Sequence, residues 1–299
     1  MTLSNAVVLV AGGTRGGSRA IAVQFGAAGA TVYVTGRSSR AGRSPMNRPE
    51  TVEETAEMVD AAGGRGIAVA VDHQDEKQVQ ELVERIDREQ NGRLDILVNG
   101  IWGGDPLAHW DVPFWEQPIG DAIQLLRQGV ETHLITSRFA VPLMVARKSG
   151  LIIELTDGTA DSYRGSLYYD LVKSSVNRLA LAQAADLRSY GITAVALSPG
   201  FLRSEAMLDH FGVSEENWRD GTQKDPHFII SETPTYLGRA AVALASDPDL
   251  RRWSGKAVGT QELSSVYGFT DIDGTRPDTE RYFAEVVYGN KPPSENYRS

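Results

Sequence analysis

The chain has 299 residues, long enough for one large α/β unit, and its 41% hydrophobic content supports a sizeable core. Thirty basic and 39 acidic residues leave a formal net charge of −9, which argues against a nucleic-acid or anionic-membrane partner. Cysteine is absent, so disulfides and thiolate metal sites are excluded. No apolar run approaches the ~18 residues of a membrane span. Met1 to Asn5 carry no cationic leader region, and the expectation is a soluble cytoplasmic protein.

Residues 6–10 form a short apolar run that ends in glycines, the pattern of a buried strand. The small residues of 20–28 predict a helix packed close to a sheet, and 31–35 a second strand. Residues 38–49 are polar, basic and proline-containing, and read as a loop. A helix is expected over 51–62, with Thr51 as its cap and Glu54 three residues on. A third strand follows at 66–71, an amphipathic helix at 76–89 and a fourth strand at 94–98. The alternation continues with a long helix over 121–146, a strand at 151–155, a helix at 167–188 and a strand at 192–197. Continuous apolar strands separated by helices predict a doubly wound parallel sheet of about seven strands, covered on both faces.

No repeat or flexible linker divides the chain, so residues 1–299 read as one Rossmann-like domain. Residues 200–233 break the rhythm. They are long, mixed and polar, as a substrate lid would be. A last strand is expected at 257–260. The extension over 261–299 carries Tyr267, Phe269, Tyr282, Phe283 and Tyr288, which predicts packing on its own body or on a partner subunit.

Tyr169-Asp170-Leu171-Val172-Lys173 places a tyrosine and a lysine at i and i+4, on one helix face. A free phenol has a pKa near ~10. A neighbouring cation stabilises the tyrosinate and makes the group a usable acid or base. Near the N-terminus, Gly12-Gly13-Thr14-Arg15-Gly16-Gly17-Ser18 joins a strand to a helix. Glycines there allow a pyrophosphate to approach the helix N-terminus. Together the two motifs point to nicotinamide-dependent redox chemistry.

Four motifs in order resemble the short-chain dehydrogenase/reductase family, over about the first 260 residues. They are Gly12-x-x-x-Gly16-x-Ser18, the strand ending in Asn99-Gly100, the Tyr169/Lys173 pair, and Pro199-Gly200-Phe201-Leu202-Arg203-Ser204. The resemblance implies a nicotinamide cofactor held by Gly12, Thr14, Arg15, Gly16, Gly17, Ser18, Asn99, Gly100, Tyr169, Lys173, Pro199, Gly200 and Leu202. It also implies an adenine contact at Asp72, with His73 beside it, either at the cofactor or exposed on the loop. The second strand runs into Thr35-Gly36-Arg37 with no carboxylate for the ribose hydroxyls. Arg37 can grip a 2′-phosphate and Arg15 adds a second cation, so NADP(H) is expected.

The family's acid is a tyrosine, its lysine holds the nicotinamide ribose, and a serine orients the substrate carbonyl. Tyr169 and Lys173 match; the serine position does not. Thr156 lies thirteen residues before Tyr169, the common family spacing, and keeps a hydroxyl. With a loop one residue shorter, Asp157 takes the place instead; Thr156 is slightly favoured. An ionised Asp157 would raise the tyrosine pKa against Lys173. The family's relay asparagine aligns with Gly129. A relay would then need water or a nearby group such as Glu131 or His133, both read as ordinary helix residues. Trp102, Trp110 and Trp115, with His109 and Phe114, crowd one segment and suit a bulky or aromatic carbonyl/alcohol substrate, or pack under a loop. His109 lacks a second ligand at useful spacing, so no metal site is expected. In the family the helix equivalent to 167–188 pairs with its copy, which implies a homodimer or homotetramer. Two other functions fit the changed residues: a non-catalytic NADP-binding sensor or scaffold, and a dehydratase or epimerase on the same fold.

Overall fold

The computed structural model describes residues 3–159 and 163–299. Seven strands form one parallel sheet in the order β3-β2-β1-β4-β5-β6-β7. They are β1 (Val7–Ala11), β2 (Thr31–Gly36), β3 (Arg65–Ala70), β4 (Ile96–Asn99), β5 (Gly150–Leu155), β6 (Ile192–Ser198) and β7 (Ala257–Gly259). The order reverses between β1 and β4, and the crevice at such a switch point is where α/β sheets bind ligands. Successive side chains point to opposite faces. Val8 and Val10 enter one core with Ile21, Phe25, Leu237 and Leu244. Val7 and Leu9 enter the other with Leu82, Ile86, Met144 and Leu187. This double burial is why the strands read as unbroken apolar runs.

The helices alternate as expected, with shifted ends. Helix α1 spans Gly16–Ala27, so the glycine turn itself forms its first turn. Helix α2 (Val52–Ala61) is capped by Thr51, whose hydroxyl accepts the Glu54 amide. Helix α3 (Glu76–Gln90) precedes β4. The long helix expected over 121–146 is broken into α4 (Ile119–Leu126), a π-helical turn at Arg127–Glu131, and α5 (Thr132–Arg147). Single π turns recur at functional sites, and this one is centred on Gly129. Helix α6 (Leu167–Leu187) follows β5.

Residues 200–233 contain helix α7 (Glu205–Phe211) and short 3₁₀ turns. Phe211, Trp218 and Phe228 form a small core of their own there. Helix α8 (Pro234–Ser246) then packs on α1, and α9 (Thr260–Tyr267) follows β7. The extension after α9 folds back on the same chain. Tyr282 of α10 (Thr279–Tyr282), Val286 and Tyr297 bury against Ile230. Arg298 locks the end, donating to the Ser231 carbonyl and pairing with Asp273 at 2.7 Å. No described helix is long and apolar enough to cross a membrane.

Candidate active site

The cofactor end is built from backbone. Gly12 follows β1 with φ +82°, and a Cβ there would lie 2.6 Å from the Gly100 carbonyl oxygen. Only glycine lets the turn close on β4. Ser18, in place of the family's last glycine, is buried, and its hydroxyl donates to Gly100 O at 3.3 Å. It ties α1 to β4. The first amide of α1, Gly16 N, donates to Glu205 Oε2 at 2.9 Å, and Arg19 lies 3.7 Å from the other carboxylate oxygen. A helix N-terminus attracts anions. Glu205 of α7 therefore stands where an anionic ligand of the turn would stand.

Arg15, Arg37, Asp72 and His73 line a small cavity beside the turn, together with Gly12 and Thr14. Arg37 follows directly on β2, with no carboxylate at the strand's end. Of the two readings for His73, the structure sets aside the exposed loop: the residue is buried while lining this cavity. Its ring bridges Thr35 Oγ1 and Thr136 Oγ1, each at 2.8 Å, so both nitrogens serve the core. Burial pushes its pKa down to about 3, helped by His133 and Arg37, and the ring is neutral. Asn99 is also inward. Its amide donates to Ser137 and to Glu154, both at 2.9 Å, and anchors the end of β4.

The chemical end lies at the carboxyl ends of β4, β5 and β6, where a cleft of about 1410 Å³ opens. Tyr169 and Lys173 line it from α6, and Asp157 from the loop after β5. The Tyr169 hydroxyl donates to Asp157 Oδ2 at 2.7 Å. Thr156, the favoured serine substitute, is buried, and its hydroxyl donates to the Lys173 carbonyl at 3.1 Å. The loop places Asp157, not Thr156, against the phenol. Thr156 follows the strand directly and still lines the cleft, but its hydroxyl is spent on the Lys173 carbonyl. Arg164 holds the loop in this form, donating to the backbone carbonyl of Asp157 and pairing with Asp170 at 2.8 Å.

The phenol of Tyr169 is pushed well above its usual range, by burial first and then by the Asp157 carboxylate. Burial pulls Lys173 down, with Asp157 opposing. The Lys173 ammonium sits 4.0 Å from the centre of the Trp102 ring and 5.4 Å from that of Tyr169. Trp102 also fills the space of the missing relay side chain. A Cβ on Gly129 would lie 2.5 Å from Val172 Cγ1 and 3.2 Å from the Trp102 ring. The indole is pinned by its Nε1–H, which donates to Asp105 at 2.6 Å.

His133, one turn beyond Gly129, is not an ordinary helix residue. It is buried, lines the cleft, and pairs through Nδ1 with Glu154 at 2.6 Å. Glu154 is fully buried and also accepts the amides of Asn99 and Gln183, the latter at 2.8 Å. The signal for this pair was Glu154 itself, a carboxylate inside an apolar strand. Glu131 is exposed.

Trp110 packs on Tyr169 with ring centres 5.0 Å apart, and Trp102 at 5.6 Å. Trp115 does not join them. It is 70% exposed, stacks edge-on against Phe114, and is absent from the cleft lining. Met207, Phe283 and Tyr288 also line the cleft. The last two come from the C-terminal extension, whose aromatics the sequence marked only as packing. Pro199, Gly200 and Leu202 line the cleft after β6.

The pattern of the short chain dehydrogenase family matches residues 6–211. The chain belongs to the short-chain dehydrogenase/reductase family. Dehydrogenase/reductase SDR family member 1 of Mus musculus is 36% identical over 282 residues, covering 93% of this chain and 86% of that protein. The Homo sapiens protein of the same name is 33% identical over 276 residues, covering 91% and 85%. A putative dehydrogenase from Xanthomonas campestris shares the fold at TM-score 0.75 and 23% identity, over 94% of this chain and 96% of that one. As a member of this family, the chain is an oxidoreductase of the nicotinamide-dependent class.

Proposed function

We propose that this family member is an NADPH-dependent reductase interconverting a carbonyl and an alcohol on a bulky apolar or aromatic substrate. The observation that carries the reading is the Tyr169 hydroxyl in the cleft, beside Lys173 and Asp157 and across from the glycine turn. A nicotinamide cofactor fits the residues present. The Gly12 turn leaves no room for a side chain, and the Gly16 amide already holds a carboxylate. Gly12, Gly16 and Gly17 would hold the pyrophosphate, Arg37 and Arg15 the 2′-phosphate, and Lys173 the ribose. The bound cofactor supplies or accepts a hydride.

The protein's own part is to position and to protonate. Tyr169 donates its proton to the substrate oxygen as negative charge develops there. Lys173 keeps a positive charge beneath the ring. Trp110, Phe283 and Tyr288 orient the substrate and exclude water from the reacting bond. Ile119 and Ile123 of α4, Leu134 of α5, and Leu171 and Leu181 of α6 are exposed apolar side chains. Their exposure supports assembly as a two-fold homodimer or homotetramer through these helices.

Calorimetry with NADPH and NADH tests the cofactor reading, and tighter NADH binding overturns it. Bulky aromatic ketones, aldehydes and quinones, screened for NADPH oxidation, test the chemistry. NADPH binding without turnover on any of them favours the sensor reading.

A further inference from the structure

The small cavity beside the glycine turn is lined by two amides with open hydrogen-bonding capacity. Gln128 is 8% exposed, and its Oε1 is buried with no hydrogen-bond partner among the described residues. Gln74, in the loop after β3, lines the same cavity, and its Nε2 is a buried donor in the same condition. Burying an amide atom without a partner is costly, so such atoms mark a place where a ligand supplies the partner. The π-helical turn at Arg127–Glu131 carries Gln128, and its backbone carbonyl accepts the Thr132 hydroxyl at 2.7 Å. Gly103 makes room for the side chain. A Cβ there would lie 2.1 Å from Gln128 Oε1 and 3.1 Å from Arg37 Nη2. The amide oxygen and the guanidinium therefore stand side by side, and the cation favours the oxygen over the NH2 group of the amide on that side.

Building on the cofactor reading of this cavity, we propose that Gln128 reads the base of the dinucleotide and makes the site selective for adenine. Adenine carries an exocyclic amino group that donates and ring nitrogens that accept. Gln128 Oε1 is an acceptor and matches the amino group, while the Gln74 NH2 is a donor and matches a ring nitrogen. Amide side chains pair with adenine in nucleic-acid recognition for the same reason. Hypoxanthine has a carbonyl where adenine has the amino group, so it would set one acceptor against another and leave Gln128 unpaired.

The neighbours of Gln128 fit this role. In an adenosine 2′-phosphate the base and the phosphate sit on adjacent carbons of one ribose. The amide and the Arg37 guanidinium are likewise adjacent over Gly103. Asp72, the contact that the family resemblance implies, lines the cavity too, and one of its carboxylate oxygens accepts the Gln74 backbone amide at 3.0 Å. It thereby orders the loop that carries Gln74. His73 is held by Thr35 and Thr136, so its ring nitrogens are not free for the base.

The test is a ratio of affinities, measured by calorimetry, for NADPH and for reduced nicotinamide hypoxanthine dinucleotide phosphate, which differ only in the base. The parent is expected to bind NADPH about ten- to a hundredfold more tightly. Equal affinities overturn the proposal before any variant is made. Gln128→Leu should bring the ratio close to one, chiefly by weakening NADPH. A Gln128 that only supports the fold would weaken both dinucleotides in proportion and leave the ratio unchanged, which also overturns the proposal. Gly103→Ala leaves Gln128 in the chain but drives a Cβ onto its oxygen, and should lower the ratio severalfold; it decides the matter where Gln128→Leu does not fold. No turnover is needed, so failure of the carbonyl chemistry leaves the result standing. The same ratio is measured with NADH and its hypoxanthine counterpart. Tighter NADH binding with the base preference kept refutes the NADPH reading alone, whereas binding of no dinucleotide refutes both.

Discussion

Around the glycine turn the groups that would meet a dinucleotide are backbone amides and the side chains of Arg15 and Arg37, whereas around Tyr169 they are side chains that depart from the family pattern at several positions. At the first end Gly12 has no room for a Cβ and Gly16 begins a helix, so geometry tolerates little substitution. At the second end each departure has a neighbour in its place. The missing side chain at Gly129 coincides with Trp102 filling its space, and the loss of the serine coincides with Asp157 bonding the phenol.

The largest effect expected from this contrast is at the Tyr169 end. Tyr169→Phe should lower kcat by about 10²–10⁴-fold, the usual worth of general acid catalysis, and leave NADPH affinity nearly unchanged. Turnover at the parent rate on a true substrate would show that the phenol is not the acid. The next effect belongs to the backbone end. Arg37→Asp removes charge-assisted bonds to a 2′-phosphate worth about 1.5–3 kcal/mol, so NADPH should bind roughly ten- to a hundredfold more weakly. NADH affinity should hold or improve; equal losses for both cofactors would assign Arg37 to folding instead.

The extension provides a smaller, sharper distinction. Phe283→Ala and Tyr288→Ala should each raise KM for a bulky substrate by about five- to tenfold through lost apolar contact, with cofactor affinity unchanged. A change in NADPH affinity with no change in KM would move these residues from the substrate wall to the cofactor. The smallest effect concerns Glu205. Its carboxylate sits on the Gly16 amide and must leave when a pyrophosphate arrives. An anion at a helix N-terminus is worth about 0.3–1 kcal/mol, so Glu205→Gln should tighten NADPH binding by roughly two- to fivefold. Weaker binding in that variant would mean that Glu205 supports the turn rather than competes for it.

The parallel sheet, its helices and the glycine turn were legible in the sequence because each rests on local periodicity or on a backbone demand. The Thr51 cap is of this kind: one hydroxyl, three residues from the amide it accepts. So is Tyr169/Lys173, since i and i+4 share a helix face regardless of the rest of the fold. Other features were out of reach for the opposite reason. Whether Thr156 or Asp157 meets the phenol depends on where β5 stops and how Arg164 holds the loop. His73 could not be seen as a core residue, since its partners Thr35 and Thr136 lie 38 and 63 positions away.

The sequence by itself therefore determined the family's fold, the glycine turn between β1 and α1, and the tyrosine–lysine pair. All three follow from short-range geometry that a stretch of residues carries with it. Tertiary structure alone decided that Trp115 points away from the cleft, that the extension supplies Phe283 and Tyr288 to its wall, and that His133 pairs with Glu154. It also brought Asp157 to Tyr169, twelve residues on, by the turn of a loop rather than by spacing. Such contacts join segments whose separation along the chain says nothing of their distance in space. They exist only once the sheet has brought the ends of β4, β5 and β6 to one edge.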